Sequence, residues 1–161
     1  MKIFFSIKPF LLISFLIILF LSSCDLNRVF DENYSFENAN WDRNKIVSFK
    51  IEISDTISQN QFFINIRNTT DYKYSNLYLF ITTQLPDGNI SKDTIECILA
   101  DINGKWLGNG LSKLKENNIL LKNNLVFPEK GSYIFEFEQA MRVEILQGIA
   151  DIGIRIEKNN Q

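Results

Sequence analysis

No histidine occurs among the 161 residues, and that absence removes most of the common catalytic machinery. Ser-His-Asp and Cys-His arrangements, and every histidine-ligated metal site, need an imidazole. Acidic side chains and two cysteines are what remain. In "GSYIFEFEQ", Glu136 and Glu138 lie two strand residues apart, about 6.6 Å at ~3.3 Å per residue, a separation that fits an inverting glycosidase pair. Two glutamates on the solvent face of a strand look the same, and active sites gather their acids from several elements around a cleft. The expectation is therefore no catalytic residue. Asp101-Ile102-Asn103-Gly104 echoes the start of a calcium loop, but the rest of the D-x-[DN]-x-[DN]-G-x5-E pattern is missing, so it reads as a turn, with no metal site. "GKWLGNG" has glycines without the spacing of a phosphate cradle, and no cofactor is implied.

Carbohydrate binding is the ligand-binding alternative. Trp106 stands in a glycine-rich loop that could present it to a sugar, with Trp41, Tyr72 and Tyr74 also in or near loops. A loop tryptophan more often plugs the end of a core, because large aromatics carry much of a core's burial energy. Two Asp-Thr-Ile triplets, at Asp55 and Asp93, resemble an O-glycosylation acceptor pattern, a three-residue signal that recurs by chance.

The cysteines divide into one with an address and one without. Lys2 and Lys8 precede an apolar run from Phe10 to Leu21, interrupted only by Ser14. A membrane-crossing helix needs ~20 apolar residues, whereas a run of 10–14 suits the core of a signal peptide. Leu21-Ser22-Ser23-Cys24 then resembles a bacterial lipobox, in which the cysteine is lipidated and becomes the mature N-terminus. Run length disfavours the alternative, an uncleaved helix with a chance cysteine. With Cys24 acylated, Cys97 is the one thiol left, so no intramolecular disulfide forms. It reads as a small buried apolar residue.

Removing Lys2 and Lys8 leaves 15 basic residues against 19 acidic ones from Cys24 onward, a formal charge of −4. That is no basic footprint for nucleic acid. Length allows one domain with one core. Fourteen Phe, five Tyr and two Trp suit a β core.

Apolar residues alternate with polar ones in "KIVSFKIEI", "QFFINIR", "GSYIFEFEQ" and "ADIGIRIEK", the period of half-buried strands. "NLYLFITTQ", apolar on both faces, reads as a central strand, joined through the tight turn "PDG" to "NISKDTIEC". "LSKLKENN" has the spacing of a helical turn with Leu111 and Leu114 inward, and strand character resumes at "ILLKNNLVF". Seven or eight short strands predict an all-β, antiparallel sandwich, of which the jelly roll is one form. The expected division is a signal peptide over 1–23, a lipidated N-terminus and tether over 24–44 that docks through its aromatics, and the sandwich over 45–161.

Several fragments carry a resemblance beyond this. "VFDENYSF", "INIRNTTDYKYSNLYLFITTQLPDG", "LADINGKWLGNG", "GSYIFEFEQAMR" and "LQGIADIGIRIE" follow the lipobox in order. Together the chain is similar to the gliding motility lipoprotein GldH family of Gram-negative bacteria. The resemblance implies a non-enzymatic envelope lipoprotein needed for surface gliding, held by lipid on Cys24, with the outer membrane favoured. Its implied partners are other gliding lipoproteins and, directly or indirectly, the type IX secretion machinery. In a host that does not glide, the resemblance implies general envelope or secretion support. No residue role beyond Cys24 comes with it, and an exposed sheet edge is the place to look for partner binding.

Overall fold

Alternation makes strands, and the chain builds ten of them with no α-helix among the residues described by the computed structural model, 27–159. The strands pair by nesting. β1 (Arg28–Ser35) pairs with β10 (Ile149–Lys158), and β2 (Asn40–Asp42) with β9 (Ile145–Gln147). β3 (Val47–Ile53) takes β8 (Gly131–Gln139), β4 (Asn60–Thr69) takes β7 (Leu114–Leu125), and β5 (Asn76–Gln84) takes β6 (Ile90–Ile98). All are antiparallel, so the chain is one long ribbon folded in half at residues 85–89. Rolling the ribbon brings β10 against β4 and β8 against β5. Two four-stranded sheets result, ordered β1-β10-β4-β7 and β3-β8-β5-β6, with β2 and β9 as a separate two-stranded link. This is the strand order of a jelly roll, one of the forms the sequence predicts.

The fold-back has a local cause. Pro86 presets the first corner, and Gly88 takes φ +88°, a conformation costly for any residue with a Cβ. The Leu85 N–H donates to the Asn89 carbonyl at 2.9 Å, and the Asn89 N–H donates to Asp87 Oδ1 at 2.9 Å. β5 and β6 then run in register over nine consecutive pairs.

The predicted inward positions are the ones buried. Val47, Phe49, Ile51 and Ile53 on β3 face Tyr133, Phe135 and Phe137 on β8 within one sheet, and Phe62, Ile64 and Ile66 meet Ile152, Ile154 and Ile156 in the other. Each such side chain, fully buried, contributes about 1.5–3 kcal/mol. Across the sheets, the Phe62 and Phe135 rings lie 5.1 Å apart. On the outer face of the first sheet, buried Asp151 is held by Arg67, whose Nε lies 2.7–2.8 Å from both carboxylate oxygens.

Two expectations are corrected. The segment expected as a tether over 24–44 is part of the roll from Arg28 onward. β1 is laid along β10, Phe36 stacks on Trp41 at 4.6 Å, and Trp41 is completely buried with its Nε1–H donated to the Lys45 carbonyl at 2.9 Å. β1 lacks clear alternation because it is an edge strand with only Phe30 and Asp31 half-buried. The helical turn expected in "LSKLKENN" is strand instead. β7 begins at Leu114, Leu111 is fully exposed, and Asn117 turns inward to donate to the Ile66 carbonyl at 3.2 Å and to Asn68 at 2.9 Å. The open edge of β4 supplies ladder partners that outweigh a weak local helical preference.

The nesting also fixes the ends. Residues 27–28, 54–59, 85–89, 126–130 and 158–159 gather at one end of the roll, and 36–46, 70–75, 99–113 and 140–148 at the other. We call these the terminal end and the far end.

At Gly153 an added Cβ would collide with the Glu32 carbonyl and the Asn33 side chain. Gly153→Val should therefore lift β1 from β10, costing about 1–3 kcal/mol in urea unfolding and opening residues 28–35 to proteolysis. A loose tether over these residues would leave both measurements unchanged.

Candidate functional site

Most residues singled out by chemistry prove to serve the fold. Glu136 and Glu138 lie half-buried on the outer face of the second sheet, and Lys92 Nζ sits 2.6 Å from Glu138, making it half of an ion pair. The Asp101 carboxylate accepts from the backbone N–H groups of Asn103 at 2.8 Å and Lys105 at 2.9 Å, so its own turn occupies it. Among the described residues no group of three His, Cys, Asp or Glu side chains could hold a metal ion. Cys97 is fully buried, and burial pushes its thiol pKa up to about 12, with Glu96 adding to the shift. Cys24 lies outside the described residues.

Trp106 is half-buried and packs against the core, 6.4 Å from the ring of Tyr72. Tyr72 is itself buried, donating its hydroxyl to the Asn76 carbonyl at 2.9 Å. Tyr74 is partly exposed, but on the outer face of the second sheet beside Tyr78 and Met141, not beside Trp106. Tyr74 packs edge-on against Tyr72 at 5.5 Å, so buried Tyr72 lies between Tyr74 and Trp106, and Trp41 is buried apart from them.

What sequence reasoning missed is a cleft. β6 ends one sheet and β7 ends the other, so their free edges border the same open side of the roll. The β6–β7 connection, residues 99–113, crosses that side only at the far end. It is fastened by bridges between Ala100 and Trp106 and between Asn109 and Glu116, and Trp106 wedges beneath it. Toward the terminal end none of the described residues covers the gap. A cleft of about 370 Å³ opens there, with Phe62, Tyr133 and Phe135 in its floor and Ile95 and Leu121 on its walls. The volume falls in the range of ligand and peptide pockets. One signal was available in the sequence. Inward positions on β6 change from Cys97 and Ile95 to Asp93 and Ser91, polar residues where a closed core would take apolar ones.

The described residues both begin and end at the terminal end. Cys24 precedes Arg28 by four residues, which at most span ~14 Å. Among the described residues no helix is long and apolar enough to cross a membrane.

Comparison with known proteins gives a consistent result. The model of the family described as GldH lipoprotein matches residues 28–156. A "Gliding motility lipoprotein GldH homolog" of Christiangramia forsetii is 41% identical over 153 residues, covering 91% of this chain and 93% of the relative. The "Gliding motility lipoprotein GldH" of Flavobacterium johnsoniae is 35% identical over 147 residues, covering 87% and 91%. Solved structures give a weaker likeness. The VP2 subviral particle of infectious bursal disease virus has a TM-score of 0.35 at 16% identity, with 84% of this chain and 34% of that chain covered. Dimeric latent PorU of Porphyromonas gingivalis has 0.32 at 11%, covering 86% and 14%. This chain spans about a third of the first and a seventh of the second, and neither carries a functional argument.

The environment of Cys97 is testable. A maleimide should leave it unlabelled in the folded protein and label it in denaturant. Because the folded pKa is raised, the unfolded chain ionises first as pH rises. The contribution of Cys97 to stability is therefore complete below the ordinary thiol range and lost between about pH 9 and 12. Urea titrations across that window should show a shallower alkaline loss for Cys97→Ala. An equal loss in both proteins would mean the thiol is not buried as described. Tyr72, held above the usual phenol range by burial, adds to the loss in both.

Proposed function

The chain belongs to the GldH lipoprotein family, and from that premise we propose that it is fastened by acylated Cys24 to the outer membrane and serves surface gliding as a non-enzymatic component. The observation that carries this reading is extent. The family match runs from the first strand to the last, and the relatives align over about nine-tenths of their own length, so the resemblance covers a whole fold. The relatives' names supply gliding motility and lipidation. The physics of the anchor agrees. Each buried CH₂ is worth ~0.8 kcal/mol, one chain holds marginally, and the two or more chains of a lipidated cysteine hold stably.

The proposed partners are other gliding lipoproteins and the type IX secretion machinery. An anchored sandwich in which Asp101 is held in its own turn and Glu138 in an ion pair suits a role of contact and assembly. General envelope or secretion support is the alternative, with the same anchor and no effect on movement.

Deleting the gene in its native host should stop movement on a surface. Wild-type complementation should restore it, and Cys24→Ala at equal protein level should not. A deletion strain that glides normally would place the protein in general envelope support, and full rescue by Cys24→Ala would remove the anchor from the account.

A further inference from the structure

We propose that the cleft between β6 and β7 is a docking site for an extended segment of a protein partner, which adds as a fifth strand to the free edge of β6 and lays alternate side chains into the cleft. The inference rests on the partner-binding reading of the protein and deepens it.

The first observation is the state of the two edges. β6 pairs with β5 alone, and β7 with β4 alone apart from the bridge at Asn109. Below that bridge the outward N–H and C=O groups of both strands have no backbone partner among the described residues. Such a row is a template for another strand.

The two edges are unequal. β7 shifts register against β4 between Asn60 and Phe62 and again before Phe63, and Asn124 takes φ +54°. A bulged edge pairs poorly. β6 is in unbroken register over its whole length. It is the edge fit to receive a strand.

The second observation is what lies beside that edge. A strand added to β6 would face every second side chain toward the cleft, where the walls at Ile95 and Leu121 and the floor at Phe62 and Phe135 are apolar. A fatty acyl chain would fill the same floor and leave the β6 backbone unpaired, and a sugar would find no polar floor. An extended peptide satisfies both.

The third is charge. Asp93 faces the cleft from β6 and has no ion-pair partner among the described residues, and Lys122 lines the same cleft from β7. A carboxylate facing inward on an edge strand discourages indiscriminate pairing. It also defines the partner: apolar residues in alternation, with a Lys, Arg or hydroxyl side chain opposite Asp93.

The chain's own end provides the probe. Asn159 lies beside the terminal end of β7, its side chain hydrogen-bonded to those of Asn123 and Asn124. A strand of seven alternating Val and Thr residues with a central Lys is fused after Gln161 through eight Gly/Ser residues, a linker spanning about 16 Å on average. Tethering raises the effective concentration into the millimolar range.

Amide exchange is measured on the full lipoprotein in nanodiscs, with and without the fusion, and with palmitate added to the unfused protein. The expected result is a slowing of about tenfold or more at Ile90–Ile98 in the fusion alone, with β1, the opposite edge, unchanged. Host cells carrying the anchored fusion as their single copy should then stop gliding. Unchanged β6 exchange in the fusion overturns the proposal, as does slowed exchange in cells that glide like wild type. Palmitate that slows the same amides overturns it in favour of an acyl ligand. If the deletion strain itself glides, the gliding role fails separately and exchange alone decides the site.

Discussion

The structure depends on one constraint, the nested antiparallel pairing of the two halves of the chain about the turn at Pro86–Gly88. Every strand before the turn finds its partner at the matching distance after it, out to β1 against β10. Once the ribbon is rolled, the position of the termini is no longer free. The start of β1 and the end of β10 must lie at the open end of the ribbon, beside the turn, because the ribbon has an even number of crossings between the sheets' ends. A lipid anchor on Cys24, as proposed, would present this end to the membrane and the far end, with the Trp106 loop, away from it.

The same pairing explains why one side of the roll is closed and the other is not. The β1 and β3 edges are linked through β2, whose buried Trp41 stacks on Phe36 and ties this corner to the core. At the β6 and β7 edges the link is the 99–113 crossover, held to β7 by a single bridge and filled beneath by one half-buried tryptophan. Below it the floor is the inter-sheet contact of Phe62 with Phe135, which elsewhere in the fold would have been roofed by a strand. Inward-facing Asn117 and Asn68, buried and hydrogen-bonded to each other, lie toward the far end, and Asp151 is held by Arg67 on the opposite face of its sheet.

Much of the fold was legible because period-two alternation is a strong signal wherever one face is buried and the other is wet. β3, β4 and β8 follow it nearly residue by residue, and β10 keeps its isoleucines on the inner face although Asp151 and Gly153 are buried as well. It failed at the edges. β1 is half-solvated on both faces and carries no clean pattern, and "LSKLKENN" has apolar spacing that suits a helix as well as a strand until β4 offers a ladder. The cleft was hardest to see. It belongs to no segment, and arises where two edges distant in sequence border one gap, and only Ser91 and Asp93 at inward positions betray it. The chemical candidates were read one residue at a time, and the structure places Trp106 in packing, Asp101 in a turn and Glu138 in an ion pair.

The account rests on this rolled domain being held to lipid through Cys24, and the intact mass of the protein purified from its native envelope tests that most directly. The predicted result is a chain that begins at Cys24 and carries the added mass of a diacylglyceryl group with a further acyl chain. A chain that retains residues 1–23, or one whose Cys24 is an unmodified thiol, would contradict it.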